Sequence, residues 1–154
     1  MTGPRPLDGF PVLARLTAAQ RAAVAATARE ESFPAETVLF TESQPAAGCW
    51  LIRDGHVALA TPVPGRGLLA VHTLGPGDVL GWSWLVPPCC WRYTATTASP
   101  VSAARLDTAR LRALADADPA LGYPLALGLL EAVARRLQST RSRLLDLYGS
   151  PRDR

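Results

Sequence analysis

Between Thr37 and Leu106 every β-rich run is cut short by a turn signal. "TVLF" is brief, and "CWLIRDGHVALA" is two short runs joined by Asp54-Gly55, a pattern that predicts a hairpin. "GLLAVHTL" follows and ends in the turn "GPGD"; "YTATTA" and "VSAARL" are separated by Ser99-Pro100. Short strands punctuated by Gly and Pro leave little room for long helices or a parallel sheet. They point to a small antiparallel barrel or sandwich.

Both flanks read as helical. Thr17 followed three residues later by Gln20 has the form of a capping box. It opens the Ala-rich run "AAQRAAVAATARE", which Pro34 ends. After the strands, Asp107 is placed to cap "TARLRALADA", and "DPALGYP" leads into a long helix from Tyr123 to Tyr148. Along that helix Ala126, Leu130, Val133, Leu137, Thr140, Leu144 and Leu147 are spaced by fours and threes. This is the spacing of a coiled-coil seam, and it predicts a homodimer through this helix. The expected fold class is therefore mainly β with flanking helices (α+β). A helical lead over residues 1–34 precedes a jelly-roll β-roll over 35–106 and C-terminal helices over 107–149.

The chain has 154 residues, enough for one domain with a substantial core. Its apolar runs fall short of a membrane span, and "MTGPRPLDGFPVL" lacks a signal peptide's apolar stretch, so a cytoplasmic location is expected. All cations are arginine, as GC-rich coding produces, and a net charge of +3 is too small to argue nucleic-acid binding. Cys49, Cys89 and Cys90 show no zinc-ligand spacing, so free thiols and no metal are expected. His56 and His72 lack ligand-spaced companions and read as surface residues; Arg135, Arg136, Arg141 and Arg143 read as a solvated helix face. Nothing resembles a Ser/His/Asp arrangement or a Gly-rich triphosphate loop, so no catalytic residue is assigned and an enzyme is not expected.

The order of helical lead, strand roll and seam-bearing helix resembles the cyclic nucleotide-binding domain of catabolite-activator-type (Crp/Fnr-like) regulators. "FTESQPAAGCWLIRDGHVAL" is similar to the family's early strands, and "LGPGDVLGWSWL" to the entry of its phosphate-binding cassette. "ARRLQSTR" is similar to its dimerisation helix. In members that bind cyclic nucleotides, a glycine-glutamate pair meets the ribose and a later arginine meets the cyclic phosphate. Here Gly81 keeps the glycine position, Trp82 stands at the glutamate position and Trp91 at the arginine position, with Arg92 one residue further.

An indole offers one N–H and no charge, so usual binding of cyclic AMP is doubtful and no cofactor is assigned. Trp82, Trp84 and Trp91 either fill the pocket themselves or reline it for another ligand, or Arg92 retains a cyclic-nucleotide site. Trp82 and Trp84, two apart, would share one face of a strand. The ligand-binding candidates are Gly81, Trp82, Ser83, Trp84, Leu85, Trp91, Arg92, Tyr93 and Thr94, with Thr140 at the position where the family's dimerisation helix reaches the base. Relatives that regulate transcription continue into a helix-turn-helix domain; "GSPRDR" leaves no room for one. The expectation is therefore a non-enzymatic sensor module that does not bind DNA by itself, or a dimeric protein-interaction module with a filled pocket.

Overall fold

A computed structural model describes residues 5–149. A short 3-10 helix (Pro11–Leu13) precedes α1 (Ala18–Ala25). Eight strands follow: β1 (Ala28–Phe33), β2 (Val38–Phe40), β3 (Cys49–Asp54), β4 (Val57–Val63), β5 (Gly67–Leu74), β6 (Val79–Leu80), β7 (Thr94–Thr97) and β8 (Val101–Leu106). The chain then closes with α2 (Thr108–Ala117) and α3 (Pro119–Gly149). The strands form two antiparallel four-stranded sheets, one in the order β1-β8-β3-β6 and the other β2-β7-β4-β5. This is the β-roll expected from the strand-and-turn pattern.

The strands β8 and β3 of the first sheet are buried on both faces. From β3, Cys49 and Leu51 enter a core shared with the helices, while Trp50 and Ile52 enter the core between the sheets. β8 does the same with Ala104 and Leu106 on one side, Val101 and Ala103 on the other. That is why "CWLI" is a continuous apolar run rather than an alternating one.

The Asp54-Gly55 hairpin is not formed: β3 and β4 lie in different sheets. The turn is instead a corner, stacked on a second corner at Ser99-Pro100 that carries β7 into β8. His56 N–H donates to Ser99 Oγ at 3.0 Å, and Ala98 N–H donates to the His56 carbonyl at 2.9 Å. The two corners touch so closely that a Cβ on Gly55 would lie 2.1 Å from the Pro100 carbonyl oxygen. The true hairpin is β4–β5, paired from Val57↔Leu74 to Val63↔Gly67.

The helical lead is also shorter than its sequence predicts. α1 ends at Ala25, and "AREESF" is the edge strand β1, paired with β8 from Ala28↔Leu106 to Phe33↔Val101. Helix propensity of the Glu-rich run yields here to pairing with an open sheet edge. Its carboxylates are used: Arg53 Nη2 donates to Glu30 at 2.7 Å, and Arg105 Nη1 to Glu31 at 3.5 Å.

The expected caps are present. Thr17 and Gln20 form the reciprocal capping box, and Asp107 accepts from the Arg110 N–H. Gln20 does more than cap. Pro124, inside α3, has no N–H for the carbonyl of Ala120, and Gln20 Nε2 donates to that carbonyl at 3.0 Å. α3 begins at Pro119, earlier than its periodicity indicates, because Asp118 Oδ1 accepts from the Ala120 N–H. The face of α3 bearing Leu121, Leu125, Gly128 and Leu129 is buried against the 3-10 helix and α2.

Gly55 and Gly65 both have positive φ, +87° and +77°, but a Cβ at Gly65 would meet nothing within 4 Å. Gly65→Ala is expected to cost about 1–2 kcal/mol of backbone strain alone. Gly55→Ala adds the collision with Pro100 and is expected to exceed about 3 kcal/mol in urea unfolding. Equal costs would mean that the stacked corners are not a fixed contact.

Candidate functional site

β6 pairs with β3 at Trp50↔Leu80 and Leu51↔Val79, then the chain leaves the sheet at Gly81. Gly81 has φ +95°, and a Cβ there would lie 2.8 Å from the Gly48 carbonyl oxygen and 3.1 Å from the Trp91 ring. Residues 82–88 form turns, with Leu85 N–H donating to the Trp82 carbonyl at 3.1 Å. The returning strand-like stretch is held against residues 43–46. Trp91 N–H donates to the Gln44 carbonyl at 2.8 Å, and Ser43 N–H to the Trp91 carbonyl at 2.8 Å.

The tryptophans part company on this loop. Trp82 and Trp84 are not on a strand and do not share a face, because Gly81 ends the β6 geometry before them. Trp84 is buried in the helix-side core, with Nε1–H donating to the Gly81 carbonyl at 3.1 Å and Leu85 packed beside it. Trp82 is half-buried, and the Arg92 guanidinium lies over its ring at 5.4 Å. Trp91 enters the core between the sheets. Its ring lies flat on Phe40, centroids 3.7 Å apart and planes 10° apart, with Trp50 at 6.1 Å.

The space left among Phe40, Leu59, Ser83, Trp91, Tyr93 and Arg136 is about 20 Å³. That holds about one water molecule. Ser83 is buried and lines this space; Arg92 is exposed at its rim. The Thr94 hydroxyl is occupied, accepting from the Glu42 N–H at 3.2 Å. The candidates from Gly81 to Thr94 are thus brought together, except Trp84 and Leu85, which serve the helix-side core; Trp82 touches that core and the small space alike.

Thr140 faces its own roll. Its Oγ1 lies 3.2 Å from His72 Nε2 and donates to the Arg136 carbonyl at 3.0 Å. A hydroxyl has one proton, so with that proton on the Arg136 carbonyl, His72 is the Nε2–H tautomer donating to Thr140. His72 is not a surface residue. It is buried beside the edge of Tyr93, and burial, then Arg136 and Arg143, lower its pKa.

Arg136 likewise departs from the solvated face expected for the arginine cluster. It is half-buried, donates to the Val79 carbonyl, and burial lowers its pKa against the opposing pull of Asp78. Sequence reasoning missed His72 and Arg136 as site residues. The available signal was that His72 falls between Val71 and Leu74 on a strand, and Arg136 seven residues after Leu129 on one helix face.

The cysteines are free. Burial pushes the Cys49 thiol up to about 12, so it is inert at neutral pH. Cys89 and Cys90 donate weakly to the carbonyls of Trp84 and Pro88. Among the described residues no group of three or more His, Cys, Asp or Glu is arranged to hold a metal ion. No helix among them is long and apolar enough to cross a membrane.

Residues 30–118, more than half of the chain, match the family model of the cyclic nucleotide-binding domain. The chain belongs to this family. The cyclic nucleotide-binding domain described here is 30% identical over 129 residues to the HTH-type transcriptional regulator Cmr of Mycobacterium tuberculosis, covering 84% of this chain and 51% of that protein. A CRP-like cAMP-activated global transcriptional regulator of the same species is 29% identical over 115 residues, covering 75% and 50%. The chain thus spans about half the length of the curated relatives it matches.

Among solved structures, a candidate cyclic nucleotide-binding protein from Geobacter metallireducens superposes with a TM-score of 0.78 at 31% identity, covering 89% of this chain and 99% of that one. The Thermus thermophilus catabolite activator protein, at 21% identity and a TM-score of 0.70, covers 90% of this chain and 63% of that one, and shares the fold.

Within this cyclic nucleotide-binding domain, Trp91 is buried and Trp82 is half-buried. Trp91→Ala is expected to open a cavity and cost about 3–5 kcal/mol. Trp82→Ala is expected to cost about 1–2 kcal/mol, mainly partial burial and the Arg92 contact. Urea midpoints measured side by side check the order; Trp82→Ala as the costlier change would contradict it.

Proposed function

We propose that this chain is a non-enzymatic regulatory module of the cyclic nucleotide-binding family whose roll interior is filled by its own side chains. It does not take a cyclic nucleotide in the usual way. The observation that carries this reading is Trp91 lying on Phe40 with only about 20 Å³ left beside them. Trp82 and Trp91 stand at the positions that the family resemblance assigns to the ribose-binding carboxylate and the phosphate-binding arginine. Neither indole replaces those charges, and each lost charge-assisted hydrogen bond costs about 1.5–3 kcal/mol of binding. Arg92, the remaining cation of the segment, is stacked over Trp82 rather than turned inward.

Calorimetry with cyclic AMP and cyclic GMP tests the reading. Dissociation constants weaker than about 1 mM are expected. Micromolar binding would overturn the filled interior and make Arg92 the phosphate ligand.

The module acts as a parallel homodimer through α3. Leu130, Leu137, Leu144 and Leu147 are 62%, 69%, 53% and 80% exposed. This stripe lies apart from the face carrying Leu121, Leu125 and Leu129, which the domain itself covers. Exposed apolar surface is unfavourable by about 25 cal/mol per Å², and a two-fold partner presents the same stripe in return. Val133 belongs to the stripe, while Thr140 borders it with its hydroxyl held by the roll. Leu137→Asp is expected to turn a dimer into a folded monomer in sedimentation at micromolar concentration. A monomeric wild-type protein would reject the seam.

A further inference from the structure

Arg136 lines a second cavity besides the small space under Trp91. This cleft of about 360 Å³ lies between α3, the turn from β5 to β6, and the 3-10 helix. Its polar lining includes His72, Asp78, Arg135, Arg136, Ser139 and Arg143. The four α3 residues among these fall at spacings of one, three and four, so they share one helix face.

Two of the three guanidiniums are held in place by backbone carbonyls. Arg136 donates to the Val79 carbonyl and Arg143 Nη1 donates to the Val71 carbonyl at 2.5 Å. A guanidinium has five N–H donors in a planar fork, so each keeps donors beyond the one that positions it. Three guanidiniums thus line the cleft against a single carboxylate, and that carboxylate is tied to the turn: Asp78 Oδ2 accepts from the Gly75 N–H at 2.8 Å. His72, held neutral by burial and its arginine neighbours, adds no third excess charge.

We propose that this cleft binds a small anion bearing phosphate. Within the lining, three guanidiniums exceed one carboxylate by two charges, with Glu131 acting on Arg135 from outside it, and this excess suits a phosphate group that carries about two negative charges at neutral pH. Positioned arginine forks and the Ser139 hydroxyl suit its several acceptor oxygens. The cleft is at the small end of ligand pockets, which fits a phosphate ester or pyrophosphate and not a polymer. The cleft shares Arg136 with the space under Trp91, and its other lining residues are distinct, so it does not rest on that interior being filled.

Calorimetry on the full chain at low ionic strength, with inorganic pyrophosphate as the probe, tests the proposal. Saturable binding with one site per chain and a dissociation constant of about 100 μM or tighter is expected. Arg143→Gln and Arg136→Gln should each weaken it about 10- to 100-fold. Arg143 is exposed and removable without loss of core, so it decides the matter if Arg136→Gln does not fold. Arg141→Gln, outside the cleft on the same helix, should leave binding unchanged. No saturable heat up to about 5 mM, or equal weakening by Arg141→Gln and Arg143→Gln, would overturn the site.

Discussion

Cys49 and Leu51 leave β3 in one direction and Trp50 and Ile52 in the other, and neither pair reaches water. A sheet buried on both faces needs cover on both sides. The second sheet covers one side; the 3-10 helix, α1, α2 and the start of α3 cover the other. The first sheet is thus the middle layer of three. Its edge at β6 is where the chain must pass from one core to the other. The segment after Gly81 does this by placing Trp84 in the helix-side core and Trp91 between the sheets. The aromatic mass of "GWSWLVPPCCW" is divided between two cores.

The same layering gives α3 two apolar faces with different fates. Leu121, Leu125, Gly128 and Leu129 press on the lead so closely that a Cβ on Gly128 would collide with the Val12 carbonyl. Arg15 crosses the same junction to Glu131 at 2.6 Å. The Leu130–Leu137–Leu144 stripe points elsewhere and is exposed among the described residues. Fully buried residues of this 31-residue helix end at Leu129, and beyond it polar contacts of Arg136, Thr140 and Arg143 hold the helix to the roll.

Local chemistry was legible where it is decided locally. The Thr17–Gln20 box and the Asp107 cap satisfy helix N–H groups a few residues away, and they stand as read. The strand runs were also legible, since their turn signals do not depend on the partner strand. What could not be read was which sheet a strand joins. Asp54-Gly55 marks a tight reversal equally well in a hairpin and at a corner, and only Pro100 behind it distinguishes the two. "AREESF" reads as helix until an open edge of β8 is present to pair with it. The resemblance set Gly81, Trp82 and Trp91 in one segment, but the direction each indole takes depends on layers formed far away in sequence.

His72 and Arg136 escaped notice for a related reason. A lone histidine on a strand and an arginine among arginines carry no pattern, and both acquire meaning only when α3 lies across β5. Once it does, one residue spans two spaces. The Arg136 side chain borders the remnant under Trp91 and the cleft beside the β5–β6 turn, while its carbonyl accepts the Thr140 hydroxyl that His72 also meets. Burial disfavours charge on both His72 and Arg136 and is the largest cause lowering each pKa, with the Arg136 charge adding to it at His72. A histidine can answer that pressure by staying neutral; a guanidinium cannot, so it keeps its charge and must find acceptors. The Val79 carbonyl supplies one. The other donors of Arg136 face the cleft, whose lining holds Arg135 and Arg143 beside it and Asp78 as the carboxylate.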